Sequence, residues 1–154
     1  MRVVIVGAGE VGSNIATSLA ENHDVVVIDT NPEKVEQLTY SIDVLPIEGD
    51  GSSLETLQQA SITEADMLVA STDNDKTNLV TCGTAKTVSD AFTIARVRDK
   101  TFFQTWKQYE GAFGVDFMVS TNLQTADNVA RLIGLPSAID AETFASGLVQ
   151  MAEF

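Results

Sequence analysis

Arg2-Val3-Val4-Ile5-Val6-Gly7-Ala8-Gly9-Glu10-Val11-Gly12 opens the chain and decides its fold. The β-branched run ending at Val6 has the pattern of a strand buried on both faces of a parallel sheet. It meets a G-x-G-x-x-G fingerprint and passes directly into helical periodicity, with Val11, Ile15, Ala16 and Leu19 on one face of residues 11–21. The glycines alone are a weak pattern; between a strand and a helix they are a strong one. Gly7 permits the tight turn, Gly9 lets the backbone approach a pyrophosphate, and Gly12 allows close packing of helix on strand. The free N–H groups and positive dipole end of that helix would receive the phosphates. In the plainer alternative the glycines serve turn and packing only.

Strand and helix alternate from there on. Residues 25–29 make a second strand, after which Asn31-Pro32 supplies an N-cap and a proline at the first helical position, with Val35 and Leu38 inward. Residues 44–48 make a third, weaker strand, followed by a helix carrying Leu54, Leu57 and Ala60. Residues 67–71, 92–97 and 115–120 are strands four to six. The helix after the fourth places Leu79, Val80, Ala85 and Val88, and Phe102, Phe103, Trp106 and Tyr109 mark an aromatic helix before the sixth. A last helix spans 122–133 and ends at Gly134, with Pro136 beyond it. Strict alternation predicts the α/β class: a doubly wound, six-stranded parallel sheet of the Rossmann dinucleotide-binding type, with helices on both faces. Residues 1–135 would form the dinucleotide-binding domain and 136–154 a C-terminal extension, a linker strand towards a missing or partner domain. Segment 147–154 looks like a lone strand with an unpaired edge, so it is expected to pair with another chain or with sequence beyond Phe154.

At 154 residues with 44% apolar side chains, the chain is sized for one domain that buries about two-thirds of its unfolded surface. Against 9 Lys and Arg stand 22 Asp and Glu, a formal net charge of −13. Nucleic acid and anionic membrane surfaces need a basic patch, so neither is a bulk-charge partner. Scarce lysine and plentiful Thr, Ser, Asp and Ala suit the salt-rich cytoplasm of an extreme halophile. There, molar salt shortens the Debye length to about 3 Å and screens the self-repulsion. An ordinary acidic protein is the plainer alternative. One cysteine, Cys82, excludes an internal disulfide framework and a Cys-based zinc site, and one histidine, His23, leaves no His cluster for metal. No apolar run nears the roughly 18–20 residues that span a bilayer, and glycine then glutamate interrupt the start too early for a signal-peptide core. The expectation is a soluble, cytoplasmic protein with no direct membrane insertion.

Asp29 ends the second strand 17 residues after Gly12, where an acidic group accepts the two ribose hydroxyls of an adenosine. A carboxylate there repels a 2′-phosphate and favours NAD(H) over NADP(H). The alternative, capping of the next helix, suits Asn31 better. Gly49-Asp50-Gly51 lies past the third strand, beside the expected adenine, and is equally a turn sequence. Ser71-Thr72-Asp73-Asn74-Asp75 follows the fourth strand, across the switch point from the first. Its hydroxyl and N–H groups can reach a pyrophosphate or second ribose, or Asp73 or Asn74 caps a helix. Arg96 and Arg98 alternate and so face one side; Arg98, nearer the strand's carboxyl end, is the better phosphate ligand, with a surface ion pair as the alternative. Cys82 is expected in the core.

Five blocks together resemble a known family: R-V-V-I-V-G-A-G-E-V-G, I-D-T-N-P-E-K-V, G-D-G-S-S-L-E-T-L-Q-Q-A, A-D-M-L-V-A-S-T-D-N-D-K-T-N-L-V and I-A-R-V-R. They are similar to the TrkA N-terminal domain, the nucleotide-binding half of RCK/KTN regulators of potassium transport, over residues 1–135. The resemblance implies a cytoplasmic NAD(H)-binding regulatory subunit, peripheral on the inner face of the cell membrane. It would assemble as a homo-oligomer, a dimer or tetramer, and gate a membrane potassium-uptake protein through ligand-dependent rearrangement of paired domains. By motif match Gly7, Ala8, Gly9, Glu10 and Val11 would bind the dinucleotide phosphates, with Gly12 closing the fingerprint. Asp29 would hold the adenosine ribose and Asp50 the adenine side, while Thr72, Asp73 and Arg98 complete the pocket. Relatives that prefer ATP carry a basic residue where Glu10 stands, so NAD(H) is expected ahead of ATP. The second, smaller domain usual in the family does not fit in 154 residues.

The competing class is an NAD-dependent oxidoreductase or its cofactor-binding domain. Hydride transfer needs an acid or base against the nicotinamide. A Tyr-x-x-x-Lys pair is absent, since Tyr40 is followed by Val44 and Tyr109 by Phe113, and His23 is misplaced. No catalytic role is therefore expected. The aromatic set Phe102, Phe103, Trp106, Tyr109 and Phe113 is either ordinary core or partly a homodimer interface, where aromatics are enriched.

Overall fold

A computed structural model describes residues 1–122, 140–144 and 149–153, the last two segments by their backbone alone. The chain divides into two compact units, Met1–Val119 and Ser120–Phe154. The domain boundary expected at 135 and most of the helix expected over 122–133 lie outside the described residues.

Six strands form one sheet: β1 (Arg2–Val6), β2 (Asp24–Asp29), β3 (Leu45–Glu48), β4 (Met67–Ala70), β5 (Phe92–Val97) and β6 (Phe117–Ser120). Their order is β3-β2-β1-β4-β5-β6 and the pairing is parallel, with Val4 set between Val26 and Leu68, and Ile5 between Val27 and Val69. This is the expected doubly wound arrangement. Its order reverses between β1 and β4, where neighbouring crossovers leave in opposite directions and open a crevice at the strands' carboxyl ends. Five helices connect the strands: α1 (Glu10–Ala20), α2 (Pro32–Ser41), α3 (Leu54–Gln59), α4 (Asp75–Val88) and α5 (Lys100–Gln108).

Because side chains alternate along a strand, β1 feeds two cores at once. Val3 and Ile5 join Val25, Val27 and Val69 beneath Ala16 of α1 and Leu38 of α2. Val4 and Val6 join Val26, Ile28, Leu68, Ala95 and Val97 beneath Leu57 of α3 and Leu79, Cys82 and Ala85 of α4. Val80 departs from the expected inward set and is 54% exposed. The inward stripe runs Leu79, Cys82, Ala85, and a residue one step along a helix points about 100° away from it.

The aromatic segment divides in the same way. Phe102, Phe103 and Trp106 pack on the second core, and the Trp106 indole N–H donates to the Val115 carbonyl at 2.8 Å. Tyr109, Phe113 and Phe117 stay exposed. Phe113 meets Phe102 edge-on and sits in the left-handed region at φ 61°, between Gly111 and Gly114, which are left-handed too. Nearby, Lys86 bridges to Asp116 at 2.7 Å. Burial opposes the Asp116 charge, but the Lys86 ammonium and the Thr93 N–H and hydroxyl outweigh it and hold the carboxyl below its usual range.

In the second unit β7 (Asp140–Phe144) and β8 (Val149–Glu153) pair antiparallel, Asp140 opposite Glu153 and Phe144 opposite Val149. The expected terminal strand is present, but the expectation that its partner comes from outside the chain needs correcting: β7 supplies it. Asp140-Ala141-Glu142-Thr143 is poor in β-branched and aromatic residues, so nothing local marks that strand.

Cys82 is fully buried on α4. Burial, with the Asp116 carboxylate nearby, pushes its thiol up to about 12. Thiolate is the reactive form. Alkylation of the native chain at pH 8, followed by mass spectrometry, is therefore expected to leave Cys82 unmodified, and full labelling is expected only in denaturant.

Candidate functional site

The crevice at the strand ends is a cavity of about 590 Å³, within the range of ligand sites. Its floor is the turn from β1 into α1. Gly7 leaves β1 at φ 104°, and its N–H donates to the Ile28 carbonyl at 2.8 Å, so the sheet continues to the turn itself. A Cβ at Gly7 would meet the Thr72 nitrogen at 2.9 Å, and a Cβ at Gly12 would fall on the Gly7 carbonyl oxygen. Around the Cβ position of Gly9 there is open space instead. Two of the three glycines thus fit the packing role, while the third leaves its face clear for a ligand.

Helix α1 opens without a side-chain cap at Gly9, whereas Asn31, Asn74 and Asp99 cap α2, α4 and α5. Uncapped first-turn N–H groups need an outside acceptor, and the dipole makes an anion the preferred one. Gly7, Gly9, Glu10 and Val11 line the cavity; Ala8 and Gly12 are buried beside it. The Ala8 N–H is already taken, donating at 2.6 Å to Asp29 Oδ2.

Asp29 stands at the end of β2 and lines the adjoining wall. Its other oxygen, Oδ1, accepts the Asn31 N–H at 2.8 Å, while Asn31 itself caps α2 by accepting the Glu33 N–H. The carboxylate is fixed in place by two backbone donors, yet each oxygen keeps lone-pair capacity for a hydroxyl. Asp50, on the rim, accepts both the hydroxyl and the N–H of Ser52, which hold its carboxyl below the usual range. Its turn and cleft roles therefore coexist.

On the far wall lie Thr72, Asp73, Arg96 and Arg98. Asn74, not Asp73, caps α4, accepting the Thr77 N–H at 3.0 Å. The alternate spacing of Arg96 and Arg98 brings both to the cleft. The Arg98 N–H is held by the Asp75 carboxylate at 3.0 Å.

Two contributors escape the sequence. Lys34, in the first turn of α2, lines the cleft together with Asp29; on an exposed helix face nothing sets it apart. Asn78 is fully buried on α4. Its Oδ1 accepts the Thr72 N–H at 2.9 Å and hydroxyl at 2.6 Å, and its Nδ2 donates to the carbonyls of Thr72 at 3.1 Å and Arg96 at 2.8 Å. One amide thus stitches the β4 loop to β5. The available signal was its position, four residues before Cys82 and seven before Ala85 on the inward stripe.

Three sets of similarities bear on this geometry. The family model of the TrkA-N domain matches residues 3–121. The chain is 42% identical over 161 residues to Trk system potassium uptake protein trkA homolog 1 of Methanosarcina mazei, covering 100% of this chain and 39% of that protein. It is 39% identical over 153 residues to the Trk system potassium uptake protein TrkA homolog of Archaeoglobus fulgidus, covering 99% of this chain and 35% of that protein. The chain therefore spans a little over a third of the length of these relatives. Among solved structures, the TrkA-N domain of inner membrane protein ybaL from Escherichia coli aligns with a TM-score of 0.76 at 23% identity, over 86% of this chain and 96% of that one. The GsuK channel bound to NAD aligns at 0.66 and 18%, over 77% of this chain and 21% of that one. The Shewanella denitrificans Kef CTD in AMP-bound form aligns at 0.66 and 21%, over 88% and 82%. At these identities the structures establish the fold.

Asn78→Ala would leave the Thr72 N–H and the Arg96 carbonyl without their partner. A loss of about 1–3 kcal/mol is expected, measured by urea denaturation against the unsubstituted chain.

Proposed function

The chain belongs to the TrkA-N domain family, and on that premise we propose that it is an NAD(H)-binding regulatory module, not an enzyme, which gates a membrane potassium-uptake protein. The observation that carries the proposal is the joint arrangement of an uncapped α1 N-terminus and the Asp29 carboxylate, tied together through Ala8 N–H. Phosphates would lie on the Gly9, Glu10 and Val11 backbone and the adenosine ribose on Asp29, with the adenine towards Asp50. Thr72, Asp73 and Arg98 would enclose the second half. Glu10 places a carboxylate at the phosphate end, which disfavours the additional charge of ATP. That related folds are described with NAD and with AMP supports a nucleotide of this kind.

Among the described residues, no helix is long and apolar enough to cross a membrane. Under the proposal, membrane association comes through the transporter, on the cytoplasmic face. Gating requires the ligand to bind two arrangements of paired domains with different affinities. Pairing would use the exposed aromatics Phe113 and Phe117 in a homo-oligomer, with residues 1–135 as the nucleotide-binding domain and 136–154 as the connection onward. The described cleft lining contains no His, Tyr or Cys, which favours binding over hydride-transfer chemistry.

Calorimetric titration of the chain with NADH, NAD, NADPH and ATP, at low and molar potassium chloride, tests the ligand. NADH or NAD should bind best, and Asp29→Ala should weaken both roughly tenfold or more, the loss of hydrogen bonds to a charged group. Absence of binding by all four would overturn the proposal. Sedimentation tests the pairing: Phe113→Ser with Phe117→Ser should shift the chain towards monomer. Trp106 is the poorer probe, because its indole is anchored to Val115.

A further inference from the structure

A second, more open hollow of about 540 Å³ adjoins the cleft. The two share Asp73, Asn74 and Arg98, and Asp75, Lys76, Asp99 and Phe102, from the starts of α4 and α5, complete the hollow. Most of its polar groups are committed within the protein. Asn74 caps α4 and Asp99 caps α5. The Asp75 carboxylate accepts the N–H groups of Arg98 and Asp99, at 3.0 and 2.8 Å. Asp73 differs. It is exposed at the junction of the two cavities, and its carboxylate has no hydrogen bond or ion pair among the described residues. Three carboxylates against Lys76 and Arg98 leave the lining net negative. Phe102 adds an aromatic ring, fixed by packing on the core and by an edge-on contact with Phe113 at 5.9 Å.

The position of the hollow selects what can reach it. Asp29 ends β2, on one side of β1, whereas Asp73 follows β4 and Asp99 follows β5, on the other. A dinucleotide with its adenosine ribose at Asp29 and its diphosphate over the start of α1 would run on across β4 and carry its second base to the hollow; AMP would end before it. The face of a phenyl ring attracts cations, and an excess of carboxylate adds Coulomb attraction. Together they suit a flat ring that bears positive charge. The nicotinamide of NAD is such a ring, a pyridinium, whereas the dihydronicotinamide of NADH is neutral. Taking the nucleotide reading above as its basis, we infer that the hollow beside Phe102 receives the nicotinamide and that the Asp73 carboxylate makes it prefer the oxidised cofactor to the reduced one. Adenosine, diphosphate and both riboses are common to the two forms, so discrimination arises only at the ring. A carboxylate that did no more than accept a ribose hydroxyl would hold both forms alike.

The test is a calorimetric titration of NAD and NADH, with AMP as control, into the 154-residue chain and its Asp73→Asn and Asp73→Lys variants. The unsubstituted chain should bind NAD about 5- to 10-fold more tightly than NADH, the size of one charge contact in a largely hydrated setting. Asp73→Asn keeps an acceptor for a ribose hydroxyl but loses the charge. It should narrow the ratio to within about twofold by weakening NAD, and Asp73→Lys should reverse it. AMP should stay within about twofold throughout, its retained affinity reporting an intact fold. NADH bound as tightly as NAD by the unsubstituted chain, or a ratio that survives either substitution, overturns the assignment while leaving the nucleotide site standing. If the unsubstituted chain binds none of the three, the nucleotide reading fails and the role of Asp73 falls with it.

Discussion

The contact between the Gly7 carbonyl and the first turn of α1 is the constraint on which the cleft depends. No side chain fits at position 12, because its Cβ would occupy the place of that oxygen, and the Ser71 hydroxyl crowds the same point at 2.9 Å. Only with the helix this close do the N–H groups of its first turn reach the carboxyl edge of the sheet, beside β4 and across from β2. The crevice exists because the strand order reverses there. It faces a helix end and not a helix side because glycine lets α1 start immediately after β1.

Around that contact the walls are tied to each other by polar bonds within the protein. Asp29 holds Ala8, Asp50 holds Ser52, and Asn78 holds Thr72 and Arg96. Each bond fixes a group that would otherwise have to be ordered when a ligand arrives, and preorganisation of this kind lowers the entropic cost of binding. The same bonds link separate elements, β2 to the glycine turn and α4 to β5. Under the proposed function, these links are the route by which a ligand on one wall would bias the position of another.

A net charge of −13 looks hostile to an anionic ligand. The conflict is local in scale. An anion in the cleft would meet the backbone N–H groups at the start of α1 at close range, where solvent screening is weakest, while distant carboxylates are attenuated beyond a Debye length of about 8–10 Å. Acidity across the surface therefore coexists with an anion site, provided the donors at the site face inward.

Much of this was legible in the chain itself. The β-branched runs fixed the strands to within a residue or two, because parallel strands buried on both faces leave little choice of residue type. The fingerprint located the turn and the acid at the end of β2 located one wall of the cleft, since both requirements are local. What the sequence did not reveal depends on partners far along the chain. Val80 points outward because of the stripe its neighbours share; β7 is a strand because β8 pairs with it; Asn78 is a structural hub because Thr72 and Arg96 happen to meet over it. Local pattern carries backbone conformation and the residues that a turn or helix end demands. Which donors and acceptors are satisfied within the protein is decided only when the strands are laid side by side, because a hydrogen bond needs two groups and the sequence displays them one at a time.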